Sequence, residues 1–144
     1  MNVDAILRGK GRDVATIRPD ARIAEAVRML RVKGIGAIVV SEDGRHVDGI
    51  LSERDVVHAL ADGGGPVLER PVSGLMTAQV VTCAPDDRIE NLMALMTQRR
   101  IRHLPVLRDG ELYGIVSIGD VVKNRLDEVE YEATSLRSFI AGGA

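Results

Sequence analysis

Three observations predict a mixed α/β (α+β) fold built from two β-α-β-β-α repeats. The chain matches itself when shifted by 66 positions. Both copies carry a Pro-Asp turn and then an Asp-Gly turn, in the same order. Around these turns, helix-spaced apolar residues alternate with short apolar runs of strand length. With 144 residues, 45% hydrophobic and 28% charged, the composition is that of a folded globular chain and excludes a disordered one.

The elements follow in order. Thr16-x-x-Pro19-Asp20-x-Arg22-Ile23 aligns with Thr82-x-x-Pro85-Asp86-x-Arg88-Ile89. A short strand in each copy (Val14 to Ile17; Val80 to Cys83) ends at the Pro-Asp turn. Asp20, and Asp86 or Asp87, are placed to cap the next helix. That helix aligns Ile23, Val27 and Leu30 on one face, and Ile89, Leu92, Met93 and Met96 in the second copy. A buried strand follows, Ala37-Ile38-Val39-Val40 or Leu104-Pro105-Val106-Leu107. Asp43-Gly44 and Asp109-Gly110 are hairpin signals leading to partner strands over Val47 to Leu51 and Leu112 to Val116. The copies close on Gly49-Ile50-x-Ser52-x-x-Asp55-Val56-Val57 and Gly114-Ile115-x-Ser117-x-x-Asp120-Val121-Val122, where a second helix begins. One repeat of roughly 50 residues is too small to bury both faces of its sheet, so the two must pack together. The expected division is an N-terminal segment over 1–13, repeats over 14–61 and 72–126, a linker over 62–71 containing Gly63 to Pro66, and a C-terminal helix over 127–144.

Charge and rare residues narrow the function. A net charge of -2 and 2% aromatics with no Trp argue against a nucleic-acid binder, which needs excess cations or stacking platforms. Cys83 is the single cysteine, so no disulfide forms within the chain, and a reducing cytoplasmic setting is expected. Cys83 aligns with Ile17 and reads as a buried, inert thiol. His46, His58 and His103 are too scattered for a metal site. No secretory leader and no membrane-spanning run are expected. No nucleophile elbow or phosphate loop is present, so no catalytic residue and no enzyme activity are expected.

The paired repeat, the strand Arg102-His103-Leu104-Pro105-Val106 and the Gly-Ile-x-Ser-x-x-Asp endings resemble a tandem pair of cystathionine-β-synthase (CBS) domains. Leu75-Met76-Thr77 matches the usual lead-in to such a repeat, and the resemblance covers about residues 3 to 126. It implies two pseudo-two-fold related repeats with two clefts. These take adenosine-containing ligands such as AMP, ADP, ATP, NAD(H) or S-adenosylmethionine. It also implies a non-enzymatic energy or redox sensor, often dimeric, here acting on a separate protein effector. The ligands are signals; no cofactor is required.

The resemblance points to particular residues. Ser52, Arg54 and Asp55, with Ser117, Gly119 and Asp120, lie where a strand turns into a helix, and free N–H groups there suit phosphate. Asp55 and Asp120 acquire the role of accepting from ribose hydroxyls. The same Ser-x-x-Asp spacing also makes a capping box, so both readings stand at this point. Arg102, His103 and Pro105 form the second candidate element, and Gly36-Ala37 stands at its place in the first copy, so the clefts are expected to differ. Lys10, in Lys10-Gly11-Arg12, is placed to fold over a phosphate or to remain an exposed arm. Without Trp, adenine is expected between aliphatic walls near Thr16, Ala37 and Thr82.

Beyond the second repeat, Leu126, Val129, Ala133, Leu136 and Ile140 recur at three- and four-residue spacing. This seam is too short for a free coiled coil and must dock on its own module or on a second copy, with a homodimer the preferred reading. The alternative to a nucleotide sensor is a dimeric interaction module with vestigial clefts.

Overall fold

The computed structural model describes residues 1–142. Helix α1 (Val3–Lys10) precedes the first repeat, which comprises β1 (Thr16–Ile17), α2 (Ile23–Lys33), β2 (Ala37–Val40), β3 (Gly49–Ser52) and α3 (Glu53–Gly63). Two 3-10 turns, Gly65–Glu69 and Val72–Gly74, lead to α4 (Ile89–Arg99), β4 (His103–Arg108), β5 (Glu111–Ser117) and α5 (Ile118–Ala141). The first sheet has the order β1-β2-β3, with β1 parallel and β3 antiparallel to β2. The second is the hairpin β4-β5.

The second copy lacks a first strand because of one residue. In the first copy Val39 N–H donates to Ala15 O at 3.2 Å, and Ser41 N–H to Ile17 O at 2.9 Å. Pro105 occupies the place of Val39 and has no N–H to donate. The Leu107 to Cys83 bond survives at 2.8 Å, and the expected strand over Val80 to Cys83 shrinks to one bridge, Cys83 with Val106. The expected strand from Val14 likewise narrows to Thr16–Ile17.

The helix starts correct another expectation. The N-cap residues of α2 and α4 are Arg22 and Arg88, and neither makes a side-chain cap. Asp20 pairs with Arg18, and the Asp87 carboxylate accepts from Ala84 N–H instead. Side-chain caps are unnecessary because the other segment of chain supplies acceptors. Ile23 N–H donates to Arg70 O, and Ile89 N–H to Met1 O. Asp109 and Gly110, with φ of 53° and 78°, make the tight hairpin turn. Asp43-Gly44 does not: with one extra residue, the loop folds around the Asp43 carboxylate, which accepts from Arg45 and His46 N–H at 2.8 Å.

Two apolar cores result, and the chain crosses between them. Val3, Ile6 and Leu7 of α1 join the core of the second repeat with Ile89, Leu92, Met96, Leu104 and Val116. Val67 and Val72 from the 3-10 turns join the first, with Ile23, Leu30, Ile38 and Leu51. The Gly63 to Pro66 stretch is therefore followed directly by a hydrogen-bonded segment anchored by the buried Val67 and Val72. The exchange is symmetric. Val3 N–H donates to Asp87 O and Val72 N–H donates to the equivalent Ala21 O. Close approach requires glycine at Gly114 and Gly49: a Cβ at either would lie within 3 Å of Leu7 or Met76 respectively. Met93, expected on the buried face of α4, is exposed.

The C-terminal seam does not dock on its own module. The second repeat's last helix and the expected C-terminal helix are one continuous α5, and Leu126, Val129, Leu136 and Ile140 are exposed along it. The final two positions of the expected helix, Gly143 and Ala144, lie outside the described residues.

Candidate functional site

Two cavities flank the junction of the repeats, and each is built from both. One, of about 490 Å³, joins Gln79, Val80 and Val81, which lead into the second repeat, to Ser52, Arg54 and Asp55 at the start of α3. The other, of about 760 Å³, joins Val14 and Ala15, which lead into the first repeat, to Ile115 and Ser117 at the end of β5. Gly36, Ala37 and His103 lie in the walls of both. The crossing of the chain thus places the leading segment of one repeat opposite the helix start of the other.

Both helix starts are closed capping boxes. Ser52 Oγ accepts from Asp55 N–H at 3.2 Å, and Asp55 Oδ2 accepts from Ser52 N–H at 2.9 Å. Ser117 and Asp120 repeat this at 3.1 and 2.9 Å. The cap uses Oδ2 of each carboxylate. Oδ1 accepts no hydrogen bond from the described residues, and each serine keeps its O–H proton to donate. Capping and ligand binding are therefore compatible in one residue. Glu53 N–H and Ile118 N–H donate to Gly36 O and Arg102 O, tying each helix start to the turn before β2 or β4.

The carboxylates differ in their surroundings. Lys10 Nζ donates to Asp120 Oδ2 at 2.6 Å and to Ile115 O at 3.1 Å. Burial alone would raise the Asp120 pKa; the Lys10 hydrogen bond, the Ser117 N–H and the Lys10 charge outweigh it and hold it below the usual carboxylate value. The strap is fastened further by Arg12, which donates to Tyr113 O at 3.1 Å and stacks 3.7 Å from the Tyr113 ring centroid. Asp55 has no such partner among the described residues. Arg54, Arg100 and Arg102 line its cavity, and none makes an ion pair with the described residues.

His103 is half-buried, and a Cβ on Gly36 would lie 3.2 Å from its Cε1. Burial lowers its pKa, with Glu53 and Asp120 opposing and Lys10 and Arg102 assisting, so the ring is neutral at pH 7. Cys83 is buried, and burial assisted by the Asp87 charge pushes its thiol to about 12. It is no thiolate at neutral pH.

The cavities therefore gather Lys10, Ala37, Ser52, Arg54, Asp55, Arg102, His103 and Ser117 in their walls, with Asp120 held through Lys10. Arg102 faces the cavity of Asp55, and His103 faces both. Thr16 and Thr82 lie outside the walls, one step beyond Ala15 and Val81. Pro105 is buried within β4, and Gly119 lies 3.6 Å from Ser117 Oγ without lining a wall. Ile50, Val57, Val80, Val81 and Ile101 supply the aliphatic walls; Gln79 and Arg100 are wall residues that sequence reasoning did not single out. Only the pairing of Gln79 to Val81 with the opposite repeat reveals them, and no local motif encodes that. Among the described residues there is no group of three or more His, Cys, Asp or Glu placed to hold a metal ion. No helix among them is long and apolar enough to cross a membrane.

Comparison with known proteins agrees with this geometry. The CBS domain family model matches residues 10–62 and 72–127. "CBS domain-containing protein CBSX3, mitochondrial" of Arabidopsis thaliana is 33% identical over 142 residues, covering 94% of this chain and 69% of that protein. The crystal structure of a CBS-domain containing protein from Agrobacterium tumefaciens superposes with a TM-score of 0.84 at 48% identity, covering 87% of this chain and 99% of that one. A CBS domain protein of Pyrobaculum aerophilum, solved in complex with AMP, shares the fold at TM-score 0.74 and 24% identity, covering 83% of this chain and 89% of that one. With two repeats, two family matches and two crossed clefts, this chain belongs to the CBS-domain family as a tandem pair.

Proposed function

We propose that this chain is a non-enzymatic regulatory module that binds adenosine-containing nucleotides such as AMP, ATP or NAD(H) in the two cavities and signals to a separate effector in the cytoplasm. The observation that supports it most is the repeated construction of the cavities. Each opposes an aliphatic leading segment, suited to an adenine face, to a helix start whose capped carboxylate keeps a spare Oδ1 suited to ribose hydroxyls, Asp55 in the wall of one cavity and Asp120 behind Ser117 and Lys10 at the other. AMP in the Pyrobaculum protein is a property of that protein; here the adenosine reading rests on these walls and carboxylates. Ligand acts by favouring the closed arrangement of the repeats over an open one, and it regulates only to the extent that its affinity differs between them.

The test is mass spectrometry of small molecules released from gently desalted protein, beside thermal melting with adenosine, AMP, ATP, NADH and S-adenosylmethionine. A retained adenosine compound, or a melting rise of several degrees with one of them, is expected. No release and no rise overturns the reading.

The exposed stripe on α5 favours a second element, a homodimer. Leu136, Phe139 and Ile140 are 59%, 76% and 69% exposed, an unusual cost for a helix end in water. Sedimentation is expected to give a dimer that Leu136→Glu with Ile140→Glu converts to monomer; a monomeric parent protein overturns it.

A further inference from the structure

The two cavities differ in the kind and pairing of their cations, and one residue in the smaller is held in a conformation that an arginine does not favour. Arg100 caps α4 with φ 54° and ψ 44°, in the left-handed region. The equivalent residue of the first repeat is Gly34, at φ 61° and ψ 40°, where glycine sits without strain. An L side chain is disfavoured there, and a strained residue persists where the surroundings require its side chain. Arg100 lines the Asp55 cavity. Arg102 joins it from the other side of Ile101, and Arg54 from the first turn of α3.

The pairing of the cations bears on the ligand class. Three guanidinium groups meet two carboxylates, Glu53 and Asp55, in that cavity, and no ion pair neutralises any of the three among the described residues. His103 in the shared wall is neutral at pH 7. In the other cavity the charged wall residues are Lys10, Lys33 and Asp13, and Lys10 is already paired at 2.6 Å with Asp120, which lies behind the wall. One cavity holds three cationic forks, unpaired among the described residues and suited to phosphate oxygens; the other holds two ammonium groups, one of them already paired.

Building on the adenosine reading, we infer that the Asp55 cavity is selective for a di- or triphosphate-bearing ligand, with Arg54, Arg100 and Arg102 as its phosphate-holding residues, whereas the Asp120 cavity does not select for phosphate number. Arg100 replaces glycine at the helix end because its guanidinium is needed there.

Titration calorimetry with adenosine, AMP, ATP and inorganic tripolyphosphate tests this on the full chain. The parent protein is expected to bind ATP more tightly than AMP, and AMP more tightly than adenosine, at the site abolished by Asp55→Asn. Asn keeps the acceptor of the cap, so α3 is retained. Arg100→Gly is expected to weaken ATP binding about tenfold while leaving adenosine within about twofold, since one charged hydrogen bond is lost. It should also raise Tm by about 2 °C, since backbone strain is relieved. That opposite movement of stability and affinity separates a ligand role from a merely structural one. Arg54→Gln, on an exposed helix face, should weaken ATP in the same way. An unchanged ratio of ATP to adenosine affinity in both variants overturns the inference, as does loss of ATP selectivity with Asp120→Asn but not with Asp55→Asn. If tripolyphosphate binds and is lost in Arg100→Gly while no adenosine compound binds, the anion site stands and the adenosine reading fails. If nothing binds, both fall.

Discussion

The two halves are built to one plan and filled with different chemistry. In the first half, Ile50 pairs with the backbone of Thr77, its N–H and carbonyl both engaged at 3.0 and 2.9 Å. At the equivalent place in the second half, Ile115 O receives the Lys10 ammonium, which bonds Asp120 in the same reach. In the first half the α2 helix ends on glycine; in the second the α4 helix ends on Arg100. Packing has been kept and polarity has diverged. Pseudo-symmetry explains why there are two cavities, and the departures from it make their walls chemically different.

The packing side of the comparison breaks with the largest effect. Leu7 is 2% exposed and lies over Gly114, so Leu7→Ala should destabilise by about 2–5 kcal/mol in urea unfolding. Gly49→Ala should follow at about 1–3 kcal/mol, because the added Cβ would lie 2.9 Å from the Thr77 carbonyl, which belongs to the backbone and cannot turn aside. Gly114→Ala should be milder, since its clashes are with the ends of the Leu7 side chain. The double variants sharpen the point. Gly114→Ala should recover part of the Leu7→Ala loss by filling space, whereas Met76→Ala should not rescue Gly49→Ala. Equal rescue in both halves would show that the carbonyl is not the obstacle.

Much of this was legible in the residues, and what was not has physical causes. Ser52-x-x-Asp55 and Ser117-x-x-Asp120 announce helix starts because a capping box is local in the chain. The Asp109-Gly110 hairpin is local too, and φ is positive at both positions. Asp20 and Asp87 misled because the helix starts they precede are satisfied by carbonyls of Arg70 and Met1, distant in sequence. The same distance hides the crossing. Arg102 belongs to the same repeat as Asp120, yet it lines the cavity of Asp55. Sequence resemblance to the CBS family supplied the class of site; the arrangement of α1 and the 3-10 turns decided which residues share a wall.

The ion pair of the second half gives an intermediate effect. Lys10 and Asp120 are 35% and 24% exposed, so solvent screens them and the pair should contribute about 1 kcal/mol or less. Asp120 is held below its ordinary value of 3.8, so the unfolded chain takes up this proton at higher pH than the folded one. The stabilisation is then complete above that value and is lost as pH falls through the lower folded value. Lys10→Met should lower stability at pH 7, and the deficit should shrink as pH falls below 3.8. A deficit that stays constant across this range would mean that the loss comes from packing of the lysine stem, not from the charge pair.

The smallest effect belongs to His103, the ring both cavities share. Burial lowers its pKa first; Lys10 and Arg102 add to this, and Glu53 and Asp120 oppose it. Its folded value therefore lies below the ordinary 6.5. As pH falls through that ordinary value, the unfolded chain gains the proton before the folded one does, and the fold loses stability. NMR titration of the His103 ring should give a midpoint below 6.5. Lys10→Met should move it upward by removing a nearby cation, and so should phosphate bound in the Asp55 cavity by adding anions. Both shifts arise from opposite sides of one ring. If Lys10→Met moves the midpoint and the phosphate ligand does not, the ring reports on the Asp120 side alone. The two halves would then be electrically separate despite their common wall.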